Sequence, residues 1–362
     1  MRIIDIAGVL IFIILIIFLP IIMRMRIYAS IEGAIAELTG MMGDAEELIL
    51  ELSQVKEREL LEGCLEFFIV PPADVDPHGV AEKFRRLLEM GDERLEKMAG
   101  KLAPGADPEL RARIVMCLKI GTGLRGILKF LNHSLETARK TGNLQMLLAL
   151  QMNLALIMRT ARAYMDGLRA ISSCLPIGDG AGPLTAGMLI DEGDEREYIH
   201  DMVHVRKSYH GKDLSILRPR GPGPRLGKIV RALEEILDER EFDRIIMVDA
   251  AAKLEGEETG TVAEGVGVAI GGSGVEKWFI ENMTLSSDVT AVIIKMGPEE
   301  ALGQMTGRIL EACSAALETI KRIMDESDAG SVLLIGVGNS SGIPNAVEDP
   351  LKLKIKKDKE RN

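Results

Sequence analysis

The sequence predicts three parts: an N-terminal transmembrane helix, an all-α helical bundle, and an α/β domain with a mainly parallel sheet. Three observations predict this. Residues 6–23 form an uncharged, almost entirely aliphatic run. Apolar residues then recur in alternating steps of four and three, the period of one helix face. After residue 175, short β-branched runs alternate with amphipathic stretches, the pattern of strands covered by crossover helices. The expected division is 1–26 as anchor, 27–174 as helical domain, 175–212 as linker and hinge, 213–345 as α/β domain and 346–362 as basic tail.

A chain of 362 residues exceeds one ordinary domain. A net charge of -11 argues against a nucleic-acid partner, because neutralising phosphates needs a basic face. Cys64, Cys117, Cys174 and Cys313 lie far apart with no paired spacing, so they read as reduced, buried small apolar residues rather than a disulfide frame or zinc site.

The run at 6–23 has 18 residues, close to the roughly 20 an α-helix needs to cross a bilayer core. A cleaved signal peptide has a shorter apolar core and a small-residue cleavage site, so a retained anchor is expected. Arg24 and Arg26 follow the run directly, which places the bulk of the chain in the cytoplasm under the positive-inside rule. The expected localisation is therefore a single-pass cell-membrane protein.

Ile27, Ile31, Ala34, Leu38, Met41, Ala45, Leu48, Leu52 and Val55 form a coiled-coil-like seam, widened by Ile35, Met42 and Ile49 to the stripe of a bundle helix. Pro71 and Pro72 break this pattern, and a second helix is expected from Val80 to about Lys101. Asp107 caps a third, with Pro108 and Glu109 suited to its first turn. Gly142 and Asn143 stop it and start a fourth, running from Leu144 to Ile171. Met146, Met152, Met158 and Met165 read as core rather than as a methionine-rich groove. Nothing before residue 174 looks catalytic, so this region is expected to serve assembly, as a homo-oligomer or with a helical partner protein.

LPIGDGAGP, from Leu175, has loop chemistry. His200, His204 and His210, with Asp201 and Asp213 nearby, read either as a metal-ligating set or as separate, partly exposed histidines. A strand from Leu214 to Leu217 leads into RPRGPGPRLGK and a helix, a layout that favours an anion at the helix N-terminus. The phosphate-loop pattern fails there, since Pro222 stands at its first glycine and Ile229 at its hydroxyl position. Arg220, Gly221, Gly223 and Lys228 are the candidate ligand-binding residues of this turn.

Strands are then expected at 244–248, 290–296 and 331–337, with a helix from Pro298 to about Asp325. Ligands sit beyond the carboxyl ends of parallel strands. Three unusual sequences occupy that edge: Asp249 with its glycine run, Lys295-Met296-Gly297, and GVGNSSG from Gly336. Asp249 and Lys295 are the candidate catalytic residues. Gly271, Gly272, Gly274, Gly336, Gly338 and Asn339 are further ligand-binding candidates. A carboxylate held by glycine amides suits acid–base work or a divalent metal, with Asp249 as the metal ligand. Capping of the following turn is the plainer role for Asp249. The neighbouring acids Glu255, Glu257, Glu258 and Glu264 read more simply as a solvated face. The tail from Leu351 is basic and suits solvent or anionic lipid.

With its N-terminal anchor, RGPG-x-x-x-G at 220–227, VDAAAKLEGE-x-TG from Val248 and GVGN from Gly336, the chain resembles an archaeal family known as domain of unknown function 1512. That resemblance spans nearly the full length and implies no activity. A local likeness joins GVGN, the VDA turn and Gly272 to Val275 to the hydrogenase-maturation and spore-germination proteases, and it implies a related fold. Here GVGN follows the VDA strand instead of preceding it, and no aspartate stands just after GVGN as it does in those enzymes. The expected function is binding of a small anionic ligand or metal at the strand edge of a membrane-anchored protein, with hydrolysis as its enzymatic form. The alternative is a non-catalytic scaffold or sensor.

Overall fold

The computed structural model describes residues 2–69, 79–272 and 274–356. The Pro71–Pro72 break, Ser273 in the glycine segment and the last six residues of the tail lie outside the described residues.

Five helices come first: α1 (Arg2–Leu52), α2 (Arg58–Leu65), α3 (Val80–Leu102), α4 (Pro108–Thr141) and α5 (Leu144–Ser172). Their boundaries follow the local chemistry. The Asp107 carboxylate accepts the Glu109 and Leu110 amides at 2.8 and 2.9 Å, and Gly142 ends α4 with a φ of 61°. The Asn143 side chain then caps α5 at the Met146 amide. In α1 the buried seam is Ile31, Ala34, Leu38, Met42, Ala45 and Ile49. Its second half therefore runs through the widening positions rather than through Met41 and Leu48. A straight helix drifts off a strict heptad in this direction. Packing of α1 against the bundle begins at Ile27.

Among the described residues, α5 is long and apolar enough to cross a membrane by length and composition. It packs against α1 and α4 through Leu147, Leu150, Leu154, Met158, Ala161 and Met165. Met152, expected in the core, is 83% exposed and continues a bare stripe of Leu144, Leu148 and Leu156.

The second half is a seven-stranded mixed sheet. Its strands are β1 (Arg196–Ile199), β2 (Met202–Tyr209), β3 (Lys212–Pro219), β4 (Arg244–Ala252), β5 (Val262–Val266), β6 (Asp288–Met296) and β7 (Ser331–Gly336), in the order β1-β2-β3-β7-β4-β6-β5. β3, β7, β4 and β6 run parallel, while β1, β2 and β5 join antiparallel. The sheet is thus mixed rather than mainly parallel. The cause is local: the His200–Asp201 and His210–Gly211 turns have positive φ at both residues, the conformation that folds a strand straight back on itself.

Side chains alternate across the central strands. Ile246, Val248, Val292 and Leu334 face α6 (Ala181–Gly187) and α10 (Gly307–Glu326). Ile245, Met247, Leu333 and Ile335 face α7 (Ile229–Glu239) and α8 (Gly274–Met283).

Three expectations are corrected here. The stretch 175–212 is not a linker: it forms the wholly buried α6 and the first two strands. The single helix expected from Pro298 is broken into α9 (Pro298–Leu302) and α10. The chain between them pairs with the 176–177 backbone instead, through the Met305 amide to Pro176 at 2.8 Å and a bridge from Gln304 to Ile177. The described part of the tail is held rather than loose, because Lys356 donates its amide to the Met305 carbonyl.

α6 lies across the ends of β4 and β7 at a distance only glycine permits. A Cβ on Gly182 would stand 2.2 Å from the Val337 carbonyl and 2.4 Å from that of Val248. Gly182→Ala is therefore expected to cost about 3 kcal/mol, the upper part of the overpacking range. Gly193, with open space around its Cβ position, is the control. Urea unfolding of the two alanine variants checks this; equal midpoints would refute the close fit.

Candidate functional site

A cleft of about 880 Å³ opens between the helical domain and the carboxyl ends of the parallel strands. Its floor carries two aspartates. Asp249, three residues from the end of β4, is 5% exposed, and its two oxygens accept the Ala250 amide at 2.7 Å and the Gly271 amide at 2.8 Å. Asp179 comes from the turn before α6, where its carbonyl takes the Asn339 amide at 3.2 Å.

Both carboxyls are pushed upward. Burial raises Asp249 to about 8, helped by the negative charge of Asp179 and opposed by the Gly271 and Ala250 amides. Burial also raises Asp179 to about 6, against the pull of the Asn339 amide. The charge of Asp179 disfavours that of Asp249, so Asp179 gives up its proton first and Asp249 at higher pH.

The opposite wall belongs to the helical domain, where sequence reasoning saw nothing functional. Asp92, Glu93, Glu96 and Lys97 of α3 and Arg111, Val115, Met116 and Lys119 of α4 line it. The Arg111 Nε there is buried without a hydrogen-bond partner among the described residues. Lys119 and Asp92 pair at 2.7 Å. Burial raises the Glu96 carboxyl, and it raises that of Glu276, which α8 contributes from the sheet side. The walls are clipped together by Arg225, whose guanidinium donates to both Glu109 oxygens at 2.9 Å, and by Arg231 on Glu89 at 3.0 Å.

The sequence-derived candidates divide. Asp249, Lys228, Gly271, Gly272, Gly336 and Gly338 line the cleft; Arg220, Gly221, Gly223, Gly274, Asn339 and Lys295 do not. Lys295 is on the Asp249 face of the sheet, but its ammonium is paired with Glu257 in the loop after β4. Arg220 stacks over Tyr198. Gly221 is a packing glycine, since a Cβ would stand 1.8 Å from the Ile343 carbonyl. The Cβ positions of Gly336 and Gly338 likewise meet Gly182 and Asp179 backbone, so they admit a chain segment rather than a ligand. The Asn339 side chain accepts the Ser341 amide.

The histidines do not converge: His200, His204 and His210 pair with Glu235, Glu197 and Asp325 respectively. Among the described residues no three His, Cys, Asp or Glu side chains gather as a metal set. A metal at Asp249 would have Asp179 as its companion ligand.

Seven carboxyls (Asp92, Glu93, Glu96, Asp179, Asp201, Asp249 and Glu276) face five cations (Lys97, Arg111, Lys119, Arg225 and Lys228) across the cleft. That balance does not favour an anion, as the glycine turn by itself had suggested. Asp179 was missed because GDGAGP reads locally as a linker, and no spacing ties it to a residue 70 positions later.

Fold and site define a two-domain protein in which a helical domain closes a carboxyl-floored cleft on a mixed α/β sheet. The chain belongs to the family described as Protein of unknown function (DUF1512): the N-terminal domain model matches residues 5–174 and the C-terminal one residues 177–344. No curated protein and no solved structure matches it.

The elevated Asp249 carboxyl links to stability. The folded chain keeps its proton up to about pH 8, whereas an unfolded aspartate loses it near pH 4. Between those values the folded state binds more protons, so this group's contribution to stability falls as pH rises. Relative to wild type, Asp249→Asn is expected to gain unfolding free energy steadily from about pH 4 to about pH 8. Urea denaturation at pH 5 and pH 8 measures it; a pH-independent difference would show an ordinary carboxylate.

Proposed function

We propose that this protein is a membrane-anchored hydrolase that cleaves amide bonds with the Asp179–Asp249 pair. The feature that carries the reading is the placement of two carboxyls, raised mainly by burial to about 6 and about 8, together on the floor of a cleft wide enough for a substrate. Asp179, the lower of the two, is ionised near pH 7 and takes a proton from water as the general base. Asp249, still protonated, donates to the departing atom as the general acid. The Val115 and Met116 wall excludes water from one side of the reacting bond.

The likeness to hydrogenase-maturation and germination proteases supports this reading further. GVGN lacks a following aspartate in the chain, yet Asp179 lies beside Asn339 in space, supplied from a segment that precedes the VDA strand. The two departures in sequence order thus have one origin: the turn and its aspartate are split between the two ends of the domain.

Anchoring is supported by where packing begins. Residues 2–23 belong to the helix α1 and span about 33 Å at 1.5 Å per residue, close to the thickness of a bilayer core. Phe12, Ile16, Phe18, Leu19, Ile21, Ile22 and Met23 are exposed there. Arg24 and Arg26 after the run support a cytoplasmic position for the cleft under the positive-inside rule.

The test is incubation of the full chain in detergent with a proteome-derived peptide library between pH 4 and pH 9, with new termini read by mass spectrometry. Wild type is expected to generate products. Asp249→Asn and Asp179→Asn are each expected to lose at least about 100-fold in rate, a typical loss for an acid or base. No products from wild type, or undiminished products from both variants, would favour the scaffold reading.

A further inference from the structure

We infer that the turn between α4 and α5 is a second membrane contact, which stands the helical domain upright on the lipid surface and holds the cleft well clear of it. The inference rests on the anchor reading above. Its own basis is one contact and the chemistry around it. The Arg24 guanidinium, at the end of the apolar run, donates to the Gly142 carbonyl at 3.1 Å. The turn therefore lies at the level where the span meets the headgroups.

The turn is built for that level. Residues 139–146, RKTGNLQM, contain no acid. Lys140, two residues before the Gly142 that Arg24 contacts, is exposed, and Leu144 is 43% exposed at the start of α5. Cations with an apolar side chain at their edge suit an anionic lipid surface, the cations meeting headgroups and the leucine the acyl boundary.

The direction of the bundle then fixes the height of the site. α4 runs antiparallel to α1, with Arg139 against Glu32 and Arg125 against Glu46. Arg111, which lines the cleft, is a further four turns up the same helix. From Gly142 back to Arg111 a straight helix rises about 45 Å. At that height the Asp179–Asp249 floor is beyond the reach of a lipid or a membrane-embedded segment. Its substrate is a soluble molecule or the extended cytoplasmic tail of a membrane protein.

The experiment uses the full chain with Cys174→Ser, since the other three cysteines are buried. Single fluorophores are placed at Leu144→Cys, Leu156→Cys and Leu226→Cys, the last of these at the cleft. Each protein is reconstituted in vesicles of phosphatidylcholine and phosphatidylglycerol that carry headgroup nitroxides. Strong quenching is expected at 144, weak quenching at 156, which is about 18 Å further along α5, and none at 226. Quenching at 144 no greater than at 226 in protein that floats with the vesicles overturns the inference and leaves the anchor standing. Self-quenching between labels at 144 without lipid quenching assigns the turn to a second copy and overturns it equally. Failure to float with vesicles removes the anchor and this inference together.

Discussion

The close seating of one short segment on the ends of two strands is the constraint on which the rest of the α/β domain depends. Residues 178–187 cross β4 and β7 where Gly182 meets the carbonyls of Val248 and Val337, and Gly336 and Gly338 meet the segment from below. A methyl group at any of these positions would meet backbone, which cannot swing aside as a side chain can. The spacing closes one face of the sheet, with Ala181, Leu184 and Ala186 filling it. It also sets Asp179 at the same strand edge as Asp249.

That placement creates the electrostatic character of the site. Neither aspartate has a cationic side chain among the causes of its shift, so burial dominates both. Asp249 keeps its place through two backbone amides, one of them from the glycine run. The Gly271 amide reaches the carboxyl from the loop before α8, where the next residue, Gly272, takes a φ of 92° that favours glycine. The glycine segment thus acts on the carboxyl rather than on a ligand directly.

The helical domain has two roles in this architecture. Its upper end, where α3 and α4 face the strand edge, supplies half of the cleft wall and is tied down by Arg225–Glu109 and Arg231–Glu89. Its opposite end, the turn between α4 and α5, meets Arg24 of α1. A cleft shared between two domains senses their relative position, so the ion pairs that clip its walls also set its width.

The sequence by itself determined the local elements. The Asp107 and Gly142 signals for α4, the Asn143 cap of α5, the apolar runs of β4, β6 and β7, the free cysteines and Asp249 at a strand end were all legible, because each depends on neighbours within a few residues. What the sequence did not disclose depends on distance along the chain. The pairing of Asp179 with Asp249, the packing role of Gly221, Gly336 and Gly338, the pairing of Lys295 with Glu257 and the helical wall of the cleft arise only when remote segments meet. A glycine permits close approach whether a ligand or another piece of backbone approaches, and its sequence is the same in both cases. Only the tertiary structure decides which one arrives.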